Sequence, residues 1–175
     1  ILFVGRIGEK RKGLKYLLKA YSYLKWDHPD LRLIIVGPGD LDKDCHRLLS
    51  EHNLSDVIFT GSVSETDLIK YYKSATIFCS PATGQESFGI VLLEAMASGT
   101  PVVASNSASI PEVCGDAALY FDPLDMEDLA QTILKVIQND DMKKTLIHKG
   151  FNQVKKYSWG KSASKFHDII NRELK

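Results

Sequence analysis

The chain has 175 residues, 44% of them hydrophobic, and 22 Lys and Arg set against 22 Asp and Glu give a formal net charge of zero. That length fits one domain with its own buried core, and the balanced charge excludes the bulk field that would draw nucleic acid or an anionic membrane as partner. No apolar run approaches the roughly 18 residues a transmembrane segment needs; Cys45, Cys79 and Cys114 stand far apart in apolar or helical surroundings, which points to a reducing, cytoplasmic compartment rather than a disulfide scaffold. Ile1 opens directly in a strand with no Met and no leader, so a fragment of a longer protein is expected.

Residues 1–4, ILFV, form a continuous apolar run, the mark of a strand buried on both faces of a parallel sheet. Gly5 ends it. The next loop carries Arg6, Gly8, Lys10, Arg11, Lys12 and Gly13, ahead of a helix with Leu14, Leu17, Leu18, Tyr21 and Leu24 on one face. Cations and glycines at a strand-to-helix junction suit a diphosphate, because Arg grips through a planar fork, Lys adds a mobile charge and glycine lets backbone approach. A solvated basic loop is the plain alternative. A membrane-surface helix continued by Lys15, Lys19, Lys25 and Trp26 is another, but the apolar face is no larger than packing on a sheet needs.

Residues 31–37 make a second strand. Gly37-Pro38-Gly39 fails as a dinucleotide fingerprint because Asp42 stands where the third glycine belongs. Asp40-Leu41-Asp42 opens a helix, where acids cap N–H groups rather than hold a metal, and His46 and His52 lack ligand spacing. A third strand is expected over 57–61, followed by a helix capped by Ser64 with Asp67 at the capping-box position and Leu68, Ile69 and Tyr72 on its apolar face. The fourth strand spans 76–81.

The stretch 81–105, PATGQESFGIVLLEAMASGTPVVAS, concentrates the chemistry. Glu86 lies in a polar, glycine-bearing loop and Glu94 in an apolar run eight positions on, so the pair straddles a loop-to-helix junction. With a helix beginning near Phe88, the N–H groups of Phe88, Gly89 and Ile90 open onto the same mouth and attract phosphate. Glu86 would compete with that anion, so it is better suited to accept hydrogen bonds from hydroxyls or to face a developing positive charge, and Glu94 to hold a ribose diol. The bland alternative is two solvated glutamates on a surface helix.

Gly99 and Pro101 stop that helix, and Val102 to Ala104 read as the fifth strand. A loop and short helix over 105–115 precede the sixth strand, 118–123. Asp125 then caps a helix with Leu129, Ile133, Val136 and Ile137 inward, and helices follow over 141–157 and 161–173. The last presents Ala163, Phe166, Ile169 and Ile170 on one face; exposure of part of that face, for a partner domain, is one expectation and core packing the simpler one. Six strands alternating with helices predict an α/β, doubly wound parallel sheet, Rossmann-like, with ligands at the C-terminal edge of its strands.

ESFGIVLLEA resembles the Glu, seven residues, Glu pattern of the donor-binding domain in retaining glycosyltransferases of the GT-B fold, family 4. GRIGEKRKGL resembles that family's phosphate-binding segment, and the likeness continues through IIVGPGD, VIFTGSV, SGTPVVAS and the YSW segment, covering nearly the whole chain. Within the family it is most similar to the bacterial phosphatidylinositol mannosyltransferases. The resemblance implies that residues 1–175 are a nucleotide-sugar binding domain, the C-terminal half of a GT-B enzyme, without its N-terminal acceptor domain. Arg6 and Lys12 would then hold the donor diphosphate, Val63 would lie near the base, Glu94 would fix the ribose, and Glu86 would bind the sugar hydroxyls and shape an oxocarbenium-like transition state. GDP-mannose is the implied donor and a lipid-linked inositol or glycan the implied acceptor, reached through the companion domain, which would also supply any peripheral membrane contact. No metal or other cofactor is called for. A nucleophilic Glu86 would want a paired carboxylate about 5 Å away, and the sequence offers none beside it. Two rivals remain: a nucleotide-sugar hydrolase or epimerase on the same fold, and a non-catalytic nucleotide-binding module.

Overall fold

The computed structural model describes residues 1–84 and 86–173. Its centre is a six-stranded, wholly parallel sheet of β1 (Leu2–Val4), β2 (Ile34–Val36), β3 (Ile58–Gly61), β4 (Phe78–Ser80), β5 (Val102–Ser105) and β6 (Ala118–Phe121). The strands lie in the order β3-β2-β1-β4-β5-β6, so the chain winds outward from β1 to one edge and then crosses back to β4. Such a reversal opens a crevice between the loops that leave β1 and β4, and ligands of open α/β sheets bind there.

Both faces of the sheet are covered. Phe3, Ile35, Cys79 and Val103 point to a layer of α1 (Leu14–Asp27), α2 (Lys43–Glu51) and α6 (Met126–Ile137), while Leu2, Val36, Phe78 and Val102 point to α3 (Glu65–Ser74), α4 (Ile90–Ala97) and α5 (Ile110–Cys114). Alternate residues of each strand thus feed two cores, which is why these strands read as unbroken apolar runs. Three helix starts carry the caps expected from sequence. The Asp42 side chain accepts from Cys45 N at 2.8 Å, the Ser64 hydroxyl accepts from Asp67 N at 3.1 Å, and Asp125 accepts from Glu127 N and Asp128 N.

Two expectations are corrected. The helix after β4 begins at Ile90 rather than near Phe88, because Gly89 adopts the left-handed region at φ 77° and serves as its N-cap. The final helix, α8 (Trp159–Glu173), buries none of its residues; Trp159 is 84% and Phe166 66% exposed, so the expectation of core packing is corrected. The preceding helix, α7 (Asp140–Val154), takes that place, closing over α4 with Gly150 against Met96. The three cysteines are buried thiols, and burial pushes Cys45 and Cys114 up to about 12.

Candidate functional site

The loop after β1 and the loop after β4 touch along the crevice. Gly13, at φ 73°, lies so close to the β4 loop that a Cβ there would fall 1.7 Å from the Pro81 carbonyl oxygen. The Thr83 N–H donates to the Arg11 carbonyl at 2.9 Å. Beneath, the β2 loop supports the β1 loop in the same way, with Gly5 N donating to Val36 O and Ile7 N to Pro38 O, each at 2.9 Å.

This close approach brings Lys12 to Glu86. Lys12 Nζ donates to Glu86 Oε2 at 2.7 Å, across 74 positions of sequence, and Arg11 Nη1 reaches the same oxygen at 3.4 Å. Glu86 is only 9% exposed, so its charge needs these partners. Its backbone is also held: Ser109 Oγ donates to the Glu86 carbonyl at 2.6 Å, and Ser105 Oγ donates to the Ala82 carbonyl at 2.5 Å. Arg11 turns its Nη2 to Glu9 Oε2 at 2.6 Å, and Arg6 Nε stands 3.8 Å from Glu9 Oε1 with its side chain 74% exposed. Arg6, Glu9, Arg11, Glu86 and Lys12 therefore alternate in sign along the crevice. These three cations face two carboxylates, and Lys10 adds a fourth cation to the same loop.

Glu94 lies on the same helix approach but in a different setting. From α4 it reaches back to α3, where Tyr72, buried to 1% exposure, donates its hydroxyl to Glu94 Oε2 at 3.0 Å. Burial, and then the Glu94 charge, push the Tyr72 hydroxyl well above its ordinary range, so it remains a donor. Gly89 at the cap is buried, and a Cβ there would meet Leu92 Cδ1 at 2.7 Å and Glu86 Cγ at 3.5 Å, so the turn needs glycine. Phe88 and Ile90 flank it exposed at 40% and 49%, the Phe88 ring standing edge-on to Tyr157 at 5.5 Å.

Of the residues expected from sequence, the structure joins Lys12 directly to Glu86; because α4 starts at Ile90 with Gly89 as its N-cap, Phe88 lies ahead of the helix, and the expectation that its N–H is a first-turn donor is corrected. Among the described residues Arg6 is linked to the pair through Glu9 and Arg11. Val63, half-buried in the loop after β3, stands two strands from β1 at the same edge of the sheet. Sequence reasoning missed Glu9 and the hydroxyl contact of Tyr72, and left Arg11 without a role of its own. Glu9 is the lone acid within a basic loop, and Tyr72 stands on the apolar face of its helix, where a buried hydroxyl must find a partner. Two concave spaces of about 300 and 370 Å³ lie against α1 and α6 around Tyr23 and hold no residue of the crevice. Among the described residues no group of three or more His, Cys, Asp or Glu is placed to hold a metal ion, and no helix is long and apolar enough to cross a membrane.

Fold and site together define a doubly wound, Rossmann-like α/β protein with a charged crevice at its switch point. The chain belongs to the glycosyl transferases group 1 family, which matches residues 1–153. A phosphatidyl-myo-inositol mannosyltransferase of Mycobacterium tuberculosis is 37% identical over 170 residues, covering 94% of this chain and 44% of that protein. The O-antigen chain mannosyltransferase B of Escherichia coli is 35% identical over 161 residues, covering 90% of this chain and 42% of its own. The chain thus spans less than half the length of these relatives. Among solved structures, a sucrose-phosphate synthase from Thermosynechococcus elongatus superposes with a TM-score of 0.82 at 27% identity, over 99% of this chain and 45% of that one. The C-terminal domain of a glycosyl transferase group 1 family protein from Francisella tularensis shares the fold, with a TM-score of 0.76 at 22% identity over 89% of this chain and 84% of that domain. The GT-B type of glycosyltransferase fold expected from sequence is the one found.

Proposed function

We propose that this chain is the donor-binding domain of a retaining mannosyltransferase and that its crevice takes a nucleoside diphosphate sugar, GDP-mannose first. The observation that carries this reading is the 2.7 Å contact between Lys12 and Glu86 at the switch point, which puts a phosphate-seeking cation beside a carboxylate able to accept sugar hydroxyls. Lys12 and Arg6 neutralise the diphosphate as it leaves, and N–H groups at the start of α4 add donors. Glu86 faces the sugar and the positive charge that develops at its reacting carbon. Glu94 accepts from the ribose, and the base lies toward Val63. The departing phosphate takes the acceptor's proton, so the chain needs no general acid of its own. A companion N-terminal domain supplies the acceptor site, for an inositol lipid or a glycan, and any peripheral contact with the cytoplasmic face of a membrane; this chain alone binds donor without turning it over. The mannosyltransferase names of the relatives support the choice of sugar.

Calorimetric titration with GDP, UDP and ADP, then with the diphosphate sugars of the tightest base, tests it. Preference for GDP, with GDP-mannose above other GDP-sugars, is the expected result. Preference for UDP or ADP would overturn the mannosyl assignment while keeping the crevice, and release of free sugar without acceptor would favour a hydrolase.

A further inference from the structure

Resting on the donor reading above, a second residue enters the ribose end of the site. Tyr72 sits on α3, outside the loops of the crevice, and its place is fixed from several sides. Its ring stands edge-on to Phe78 at 5.7 Å, its carbonyl accepts from Thr100 Oγ1 at 2.7 Å, and only 1% of its surface is exposed. Long side chains on a helix lean toward its N-terminus, and α3 begins at the ligand edge of the sheet, so the hydroxyl is carried up toward the crevice to meet Glu94 Oε2 at 3.0 Å. An ionised carboxylate offers about four lone-pair sites. Tyr72 occupies one of them without bringing a charge of its own and sets the plane of the carboxylate.

We propose that Tyr72 is the positioning residue that orients Glu94, and that this orientation determines the protein's preference for a ribose diol over a deoxygenated sugar. A glutamate on the second turn of a helix is otherwise free to turn among staggered rotamers, and a diol needs both hydroxyls met at once. The hydroxyl of Tyr72 removes that freedom before the ligand arrives. Tyr72 does not itself touch the nucleotide.

The test compares this chain with its Tyr72→Phe and Glu94→Gln variants, titrated with GDP, UDP and ADP and with the 2′,3′-dideoxy form of whichever binds best. Tyr72→Phe keeps the ring and its packing, and thermal melting checks that it folds. The expected result is that Tyr72→Phe narrows the ribo-to-dideoxy preference at least fivefold, through weaker binding of the ribonucleotide, and that Glu94→Gln narrows it further. If Glu94→Gln narrows the preference and Tyr72→Phe leaves it intact, the positioning role is overturned while the donor site stands. If neither changes it, or if no nucleotide binds, the assignment of Glu94 to ribose falls and the role of Tyr72 with it. Equal weakening of both nucleotides by Tyr72→Phe would mark the residue as merely structural and overturn the proposal too.

Discussion

Glu86 and Glu94 stand eight positions apart and are held in opposite ways. Glu86, in the loop after β4, is neutralised by Lys12 and approached by Arg11, both from the loop after β1. Glu94, inside α4, is held by one neutral hydroxyl from α3. The cations on Glu86 are the groups a diphosphate would also seek, so under the proposed donor reading ligand and carboxylate would compete for Lys12, and the carboxylate would be released as the phosphate arrives. No such competition exists at Glu94, whose partner carries no charge to offer. Under that reading one carboxylate would be coupled to the ligand's charge and the other set in advance.

The comparison breaks most severely at Gly13. A Cβ there meets the Pro81 carbonyl at 1.7 Å in a left-handed turn, so Gly13→Ala pushes apart the loops that carry Lys12 and Glu86. A loss of more than about 3 kcal/mol in folding free energy is expected from denaturant midpoints, with the Tyr72–Glu94 side affected only through the common fold. Lys12→Ala separates the two carboxylates at the level of binding: affinity for GDP should fall by about 1.5 to 3 kcal/mol, the range for hydrogen bonds to charged groups, read by calorimetry. Smaller still is Asp42→Ala, which touches neither carboxylate and serves as the control. Losing this cap should cost about 1 kcal/mol in a thermal melt. Backbone hydrogen bonding from Cys45 holds the Asp42 pKa below its ordinary 3.8, so the contribution is complete above that pH and is lost as pH falls through the lowered value.

The sheet was legible because each strand is an apolar run closed by glycine, proline or a polar loop, and the helix caps because Asp42, Ser64 and Asp125 stand where orphan N–H groups need them. Glu86 and Lys12 were legible as chemistry, but their contact was not: a pairing across 74 positions depends on β1 and β4 lying side by side, which spacing does not encode. Tyr72 was hidden for the opposite reason. Its helical spacing marks it as core, and the structure keeps it there while using its hydroxyl. The face of α8 was misread because α7 already occupies the surface over α4. Periodicity identifies an apolar face without saying which of two successive helices will find room.

Exchange of partners at Glu86 is tested most directly by titrating GDP and GDP-mannose into the parent chain and its Glu86→Gln variant. With Lys12 no longer paired to a carboxylate, GDP should bind more tightly by about 0.5 to 1.5 kcal/mol, the net worth of one hydrogen bond, while the added affinity contributed by mannose is lost. Equal weakening of both ligands, or no change in either, would contradict a carboxylate that the diphosphate releases to the sugar.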